Sequence, residues 1–315
     1  MPAKKEVRNM KQNPRPSRKA VIFKRELPFY LMLLPGVLFT LIFAYLPMAG
    51  LVMAFQDFTP LRGFAHSAWV GLANFKAMLA LPTFWNVVRN TLFISLWKIV
   101  LRILVPLVLA LQLNEVLHPK FMRISQTVFF LPYFLSWAVV SGILRSLFQY
   151  DGMVNALLEK FGADPVLFLG SNTWFPIIII LSDVWKDMGY NMIIFLAAIT
   201  SVDPALHEAA ALDGANRWQQ VWHITLPTIR PIVAMLFVLS LGSVLSAGME
   251  QIMLLYNPMV YQSADVIDTL VYRLGLVNHQ WSLSTAVGMM KSVISFILVV
   301  LSYRIAAKHF DYQIF

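Results

Sequence analysis

The 315-residue chain contains no cysteine. A disulfide framework and a thiolate metal site are therefore excluded. Charge is scarce too. Only 13% of the residues are Asp, Glu, Lys or Arg, against about 25% in an ordinary soluble protein, while 58% are apolar. Such a chain cannot cover itself with water-facing side chains, so most of its surface is made for lipid or for other subunits. Nucleotide- and metal-binding signatures are missing as well. There is no Gly-x-x-x-x-Gly-Lys-Ser/Thr, and Gly288-Met-Met-Lys291-Ser292 lacks the spacing, so the chain is not expected to bind ATP. Neither His-Glu-x-x-His nor Gly-x-Ser-x-Gly occurs. The six histidines are scattered, and no metal, catalytic or cofactor site is expected on this chain.

What is present is a series of apolar stretches long enough to span a bilayer, which takes about 20 residues per helix. They run over Leu27–Phe55, Asn86–Val116, Arg123–Phe148, Trp174–Ser201, Thr228–Tyr256 and Ser282–Ala306. The expectation is an all-α integral membrane protein with six transmembrane helices, kinked in the first at Pro35 and Pro47. Residues 1–26 form a basic tail, 27–308 the six-span domain and 309–315 a second tail. The apolar run after the basic N-terminus is too long for a signal-peptide core and no clear cleavage site follows it, so it reads as a retained anchor.

The net charge of +9 would suit a nucleic-acid binder, but its placement favours a membrane orientation. Nine Lys or Arg lie within Met1–Arg25, a solvated tail beside anionic lipid. Six spans put both termini on one side, together with Lys120, Arg123, Arg217, Arg230, Arg304 and Lys308. The other side has Arg62, Lys76, Lys160 and Arg273. Fifteen cations against four predict that both termini and the 202–227 loop are cytoplasmic.

That loop, between the fourth and fifth spans, is the longest polar island in the second half of the chain. Asp203 is placed to cap a helix and Pro204 suits its first position. Ala205–Leu212 favours helix, Asp213-Gly214 breaks it, and Asp213 is a candidate cap for a second short helix over Ala215–His223 that Leu226-Pro227 ends. Glu208-Ala209-Ala210, then Gly214, then Ile224-Thr225-Leu226-Pro227, strengthened by Asp213, Ala215 and Trp218, resembles the "EAA" loop of ABC importer permeases, most closely the maltose-transporter type for oligosaccharides. Val70-Gly71-Leu72-Ala73-Asn74-Phe75, after the first span, resembles a stretch common in the same family. Val221 departs from it, since relatives often carry an aromatic there.

The resemblance implies a bacterial inner-membrane subunit that pairs with a second permease. Its loop would dock as a coupling helix on one of two ATPase subunits, which bind ATP and Mg. An extracytoplasmic binding protein would deliver the cargo. Glu208, Ala209, Ala210, Asp213, Gly214, Trp218, Trp222, Leu226 and Pro227 would then form the ATPase-coupling site.

For the substrate pathway the residue types to seek are intramembrane polar groups and aromatic faces. Candidates are Tyr133, Trp137, Asp183, Lys186, Asp187, Tyr190, Glu250 and Lys291. The spans carry Arg89, Lys98, Arg102, Arg145, Lys186 and Lys291 against Asp183, Asp187 and Glu250, an excess that favours an acidic oligosaccharide of alginate or pectin type. A neutral oligosaccharide is the alternative. From other classes, Asp183 and Asp187 could serve a membrane-embedded enzyme or an ion-coupled carrier. Neither reading accounts for the loop, and such carriers usually show internal repeats and about twice as many spans.

Overall fold

The computed structural model describes residues 18–310, with side chains over 26–304. The basic tail up to residue 17 and the C-terminal tail from residue 311 lie outside the described residues. The described residues form two compact units, 18–52 and 53–310.

In the first unit the helix begins at Arg18, inside the stretch expected to be tail. It is α-helical to Thr40, widens into one π-turn over Leu41–Tyr45 and continues as 3-10 helix over Leu46–Phe55. Pro47 has no N–H to return to Phe43, so the α ladder cannot run through this point, and the winding changes around it.

The second unit opens with a short antiparallel ladder in which Gln56 pairs with Trp69 and Asp57 with Ala68, a small departure from an all-helical chain. Asn74 holds it, donating from Nδ2 to the Ala54 and Gln56 carbonyls at 3.0 and 2.9 Å. The Phe55 ring stacks on Trp69 and leans on Phe75. The Val70–Phe75 stretch is thus the clasp of the first extramembrane segment.

The second span is one helix over Phe84–Asn114 and the fourth over Trp174–Thr200. These two pack along each other and carry the core. Phe175, Ile179 and Ile94 are buried towards one end, Phe195, Met192 and Ala110 towards the other. A Cβ on Gly189 would lie 2.2 Å from the Phe129 carbonyl oxygen, so the third-span backbone touches the fourth span there.

Two expected spans are broken. The third is not continuous over Arg123–Phe148. Pro119–Phe134 and Trp137–Lys160 meet at 102°. Pro132 removes a donor, and Ser136 takes an extended conformation and caps the new helix by accepting from Val139 N, so a fresh helix starts in a new direction. The fifth is not continuous over Thr228–Tyr256 either. It ends at Leu241, turns through 242–248 and restarts as Met249–Leu255, with Gly248 at φ +88°. At its other end the fifth span is longer than expected. Pro227 does not interrupt it, and the helix runs from Arg217 to Leu241 with a π-turn at Val221–Thr225. Such a turn accommodates the bond that Pro227 cannot make to His223. The sixth span is Trp281–Phe310.

The stretch between the last two spans is held by a compact polar knot. Tyr256 Oη donates to Asp265 Oδ1 at 2.9 Å and accepts from Arg273 Nη1 at 2.8 Å. Arg273 also pairs with the Asp265 carboxylate, and Thr269 Oγ1 donates to it at 2.7 Å. Burial, then the adjoining Asp265 charge, pushes the Tyr256 phenol above its ordinary range, so it stays a donor.

Candidate functional site

Two sites follow from this framework: the loop joining the fourth and fifth spans, and a charged cluster between the second and fourth.

In the loop, Asp203 accepts from Ala205 N at 2.9 Å and Pro204 takes the first helical position. The helix runs over Pro204–Leu212. Gly214, at φ +84°, closes it with bonds from Gly214 N to Ala211 O and from Ala215 N to Ala210 O, at 3.1 and 2.9 Å, the paired closure that a left-handed glycine permits. The second helix is capped differently from the expectation. Asn216, not Asp213, is its N-cap, in a reciprocal box where Gln219 N donates to Asn216 Oδ1 and Asn216 N to Gln219 Oε1. Asp213 ends the first helix. Asn216-x-x-Gln219 is a readable capping signature that the sequence analysis passed over.

Gln220 is buried beneath the turn, donating to Ala215 O at 3.1 Å and facing His207 Nδ1 at 3.3 Å. The outer surface carries Glu208, Ala209, Asp213, Gly214 and Pro227, all exposed, while Ala210 and Leu226 are half-buried. Trp218 and Trp222, four residues apart and so on one face, are 73% and 63% exposed. A soluble monomer rarely leaves two such rings in water. A cavity of about 360 Å³ opens beside them, lined by Ala210, Gly214, Gln219 and His223 among others. On the second-span side Arg217 pairs with Glu115 at 3.3 Å, an exposed pair of small energetic weight.

In the cluster, Asp183 is 3% exposed. Arg102 grips it side-on, Nε to Oδ2 at 2.7 Å and Nη2 to Oδ1 at 2.9 Å, and Lys98 Nζ lies 3.1 Å from Oδ1. Arg102 Nη2 also reaches Asp187 Oδ2 at 2.6 Å. Lys98 continues the network, donating to Ala247 O at 2.8 Å and to Gln251 Oε1 at 2.5 Å. Gln251 donates in turn to Ile179 O and Ser182 Oγ. A charge inside the membrane needs such partners, and here the network ties the second and fourth spans to the break in the fifth.

One turn further, Lys186 donates to Tyr133 O at 3.0 Å and lies over the Tyr133 and Trp137 rings at 5.4 and 5.6 Å. Tyr133 stacks on Tyr190 with centroids 4.9 Å apart. A cavity of about 280 Å³, lined by Arg102, Tyr133, Asp187, Tyr190, Asn191 and Ser240 among others, opens beside this group. Six of the eight pathway candidates are therefore drawn together. Tyr133, Asp187 and Tyr190 line the cavity, Trp137, Asp183 and Lys186 stand behind them, and Lys291 and Glu250 lie outside this group. Lys291 pairs with Asp268, and Glu250 is exposed in the first turn of the Met249–Leu255 helix. The cationic excess shrinks only by Lys291, because Arg145 and Arg89 meet neutral acceptors and keep their charge. Arg145 donates to the Leu254 carbonyl and Arg89 to Asn86 Oδ1. Lys186 has no carboxylate within 4.0 Å among the described residues. Arg102, absent from the sequence-based candidates, is the residue that joins the cluster to the cavity. Its four-residue spacing from Lys98 puts both cations on one helix face that should avoid lipid, but does not name Asp183 as their partner.

Residues 102–312 match the family described as binding-protein-dependent transport system inner membrane component. The chain is 42% identical over 306 residues to the polygalacturonan/rhamnogalacturonan transport system permease protein YteP of Bacillus subtilis (strain 168), covering 93% of this chain and 95% of YteP. It is similar to a solved bacterial ABC transporter involved in the import of the acidic polysaccharide alginate, at 38% identity and a TM-score of 0.86, over 93% of this chain and 99% of that one. A second solved structure, a bacterial alginate ABC transporter with an alginate pentasaccharide-bound periplasmic protein, gives 38% identity and a TM-score of 0.84 over 93% and 98%. With its apolar spans, polar loop and matching length, the chain belongs to the binding-protein-dependent transport system inner membrane component family and is a multi-pass inner-membrane permease of an ABC-type sugar importer, not itself an enzyme.

Proposed function

We propose that this permease conducts acidic oligosaccharides, of uronate type, into the cell. The observation that carries the reading is likeness over nearly the whole chain to YteP and to the alginate importer, whose named cargoes are acidic. Lys186, set against the Tyr133 and Trp137 rings and with no carboxylate within 4.0 Å among the described residues, supports it. Tyr133, Trp137, Asp183, Lys186, Asp187 and Tyr190 belong to the pathway in this reading, with Glu250 and Lys291 at more distant points of it.

The working assembly contains a second permease, two ATPase subunits that bind ATP and Mg, and an extracytoplasmic solute-binding protein. A periplasmic protein accompanies the similar alginate transporter, which supports the last of these. The loop and both termini face the cytoplasm. Glu208, Ala209, Ala210, Asp213, Gly214, Trp218, Trp222, Leu226 and Pro227 form the ATPase-docking surface, the tryptophans entering its cleft. ATP-driven closure of the ATPases draws the loops together, and the span bundles rock open to the outside. The domain limits follow: 1–26 and 309–315 as tails, 27–308 as the transporting unit.

The test is ATPase activity of the complex purified through a tag on this chain, with its binding protein loaded in turn with uronate oligomers and neutral maltodextrins. Stimulation by uronates is expected. Stimulation by the neutral sugars alone would leave the importer standing and remove the acidic cargo.

A further inference from the structure

Arg102 has two edges in different surroundings. One edge is committed. Nε and Nη2 hold Asp183 side-on, and Asp183 is buried and held a second time by Lys98. The other edge is half made. Nη2 reaches Asp187 at 2.6 Å, while Nη1 has no partner among the described residues. The exposures differ in the same sense, 3% for Asp183 against 38% for Arg102 and 23% for Asp187. Arg102 and Asp187 both line the 280 Å³ cavity; Asp183 does not. The other walls are suited to a sugar ring: the stacked Tyr133–Tyr190 pair, with Asn191 and Ser240 as hydrogen-bonding groups.

We infer that Arg102 is a carboxylate-binding residue of the transport pathway, and that Asp187 is its place-holder, displaced when a uronate carboxylate takes the Nη1–Nη2 edge. This rests on the acidic-cargo reading above. A planar guanidinium fork binds a carboxylate through two parallel charge-assisted bonds. Asp183 keeps the fork oriented, so little is lost in ordering it. Lys98 and Arg102 balance Asp183 and Asp187 in charge, so a uronate on the Nη1–Nη2 edge adds one negative charge, and Lys186, next to the displaced Asp187 in the chain, is the cation that offsets it. The exchange also sets affinity. A transport site must bind well enough to admit its cargo and weakly enough to release it. A bare buried arginine would hold an anion too long, and a carboxylate waiting beside it drives release.

The test uses the full complex with its ATPases and binding protein in proteoliposomes, and uptake of a uronate trisaccharide and of its methyl ester. Asp187→Asn removes the competing charge at nearly constant shape. The expected result is a KM for the acid lower by about tenfold, the worth of one charge-assisted hydrogen bond, together with a lower kcat because release slows. For the ester, which brings no charge to compete for Arg102, the KM shift is expected to be several-fold smaller than for the acid. A residue with a purely structural role would not tighten binding. Arg102→Lys keeps charge but loses the fork, and is expected to raise KM more for the acid than for the ester. Should that variant fail to assemble, Asp187→Asn still decides. An unchanged or raised KM for the acid in Asp187→Asn, or equal shifts for acid and ester, overturns the inference while leaving the cargo reading intact. A wild-type complex that imports no uronate overturns the cargo reading itself.

Discussion

Lys98 in the second span donates to the carbonyl of Ala247, 2.8 Å away and 149 residues later in the chain. The acceptor belongs to the break in the fifth span, one residue before Gly248 with its positive φ. Where the chain leaves helix inside an apolar environment its backbone carbonyls lose intrahelical partners, and here a buried ammonium supplies one for the turn at Ala247. A Cβ on Gly248 would lie 3.0 Å from that same Nζ, so the bare backbone is what lets the ammonium approach.

Lys98→Met keeps the apolar stem and removes the donor. The Ala247 carbonyl and Gln251 Oε1 are then left without it, and a loss of about 1–3 kcal/mol is expected. It is read as a lower unfolding temperature of the purified complex in detergent. An unchanged midpoint would mean that the break holds without Lys98.

Asp183→Asn strips two cations of their shared counter-charge. Removing one partner of a buried ionic group costs about 3–5 kcal/mol, so this variant is expected to be the least stable of the set. The yield of monodisperse complex and its melting point report it.

Gly189→Ala sets a methyl group against the Phe129 carbonyl, with backbone on the opposing side. Overpacking of this kind costs about 1–3 kcal/mol. Gly288→Ala, where a Cβ meets nothing within 4 Å, serves as the control and is expected within about 0.5 kcal/mol of wild type. Equal melting points for the two variants would refute the close approach of the third and fourth spans.

Gly214→Ala meets no atom either, yet its φ of +84° costs a side-chain-bearing residue about 1–2 kcal/mol. Asparagine tolerates this region better. Substrate-stimulated ATPase activity is expected to fall in the order glycine, asparagine, alanine, with proline, whose φ is fixed near −65°, lowest. Full activity in Gly214→Pro would remove the turn from the coupling reading.

Trp218→Ala and Trp222→Ala delete exposed rings, so the stability of the permease is expected to change by no more than about 0.5 kcal/mol. Buried tryptophans at interfaces are commonly worth 2 kcal/mol or more, and each substitution is expected to weaken ATPase retention by about 30-fold. Co-purification at graded detergent and salt gives the measure. Undiminished retention in the double variant would place docking elsewhere.

The parts legible in the sequence were those set by neighbours along the chain. Apolar length gave the second, fourth and sixth spans to within about two residues at most ends, and the Asp203 cap and Gly214 turn follow from side chains acting on their own backbone. The breaks at 135–136 and 242–248 were not legible. Ser136 is a local cap, but the helices it separates stay apart because of what packs around them. The fifth-span break is completed by Lys98, far away in sequence. The charge pattern fared similarly. Lys98, Arg102, Asp183 and Asp187 were readable as costly residues in need of partners, but their pairing was not, and Asp268 as the partner of Lys291 lay in what reads as a loop.

The unbroken helix from Arg217 to Leu241 has a mechanical consequence. It contains 25 residues and is about 37 Å long at about 1.5 Å per residue. The exposed tryptophans lie in its first turns, Trp218 just before the π-turn at Val221–Thr225 and Trp222 within it. Its far end stops at the segment that Lys98 fastens to the second span. Such an object is a lever with its fulcrum towards Leu241. If the ATPases engage Trp218 as proposed, a push of a few ångströms there is expected to tilt the arm and to alter the width of the polar cavity whose wall includes Leu236 and Ser240.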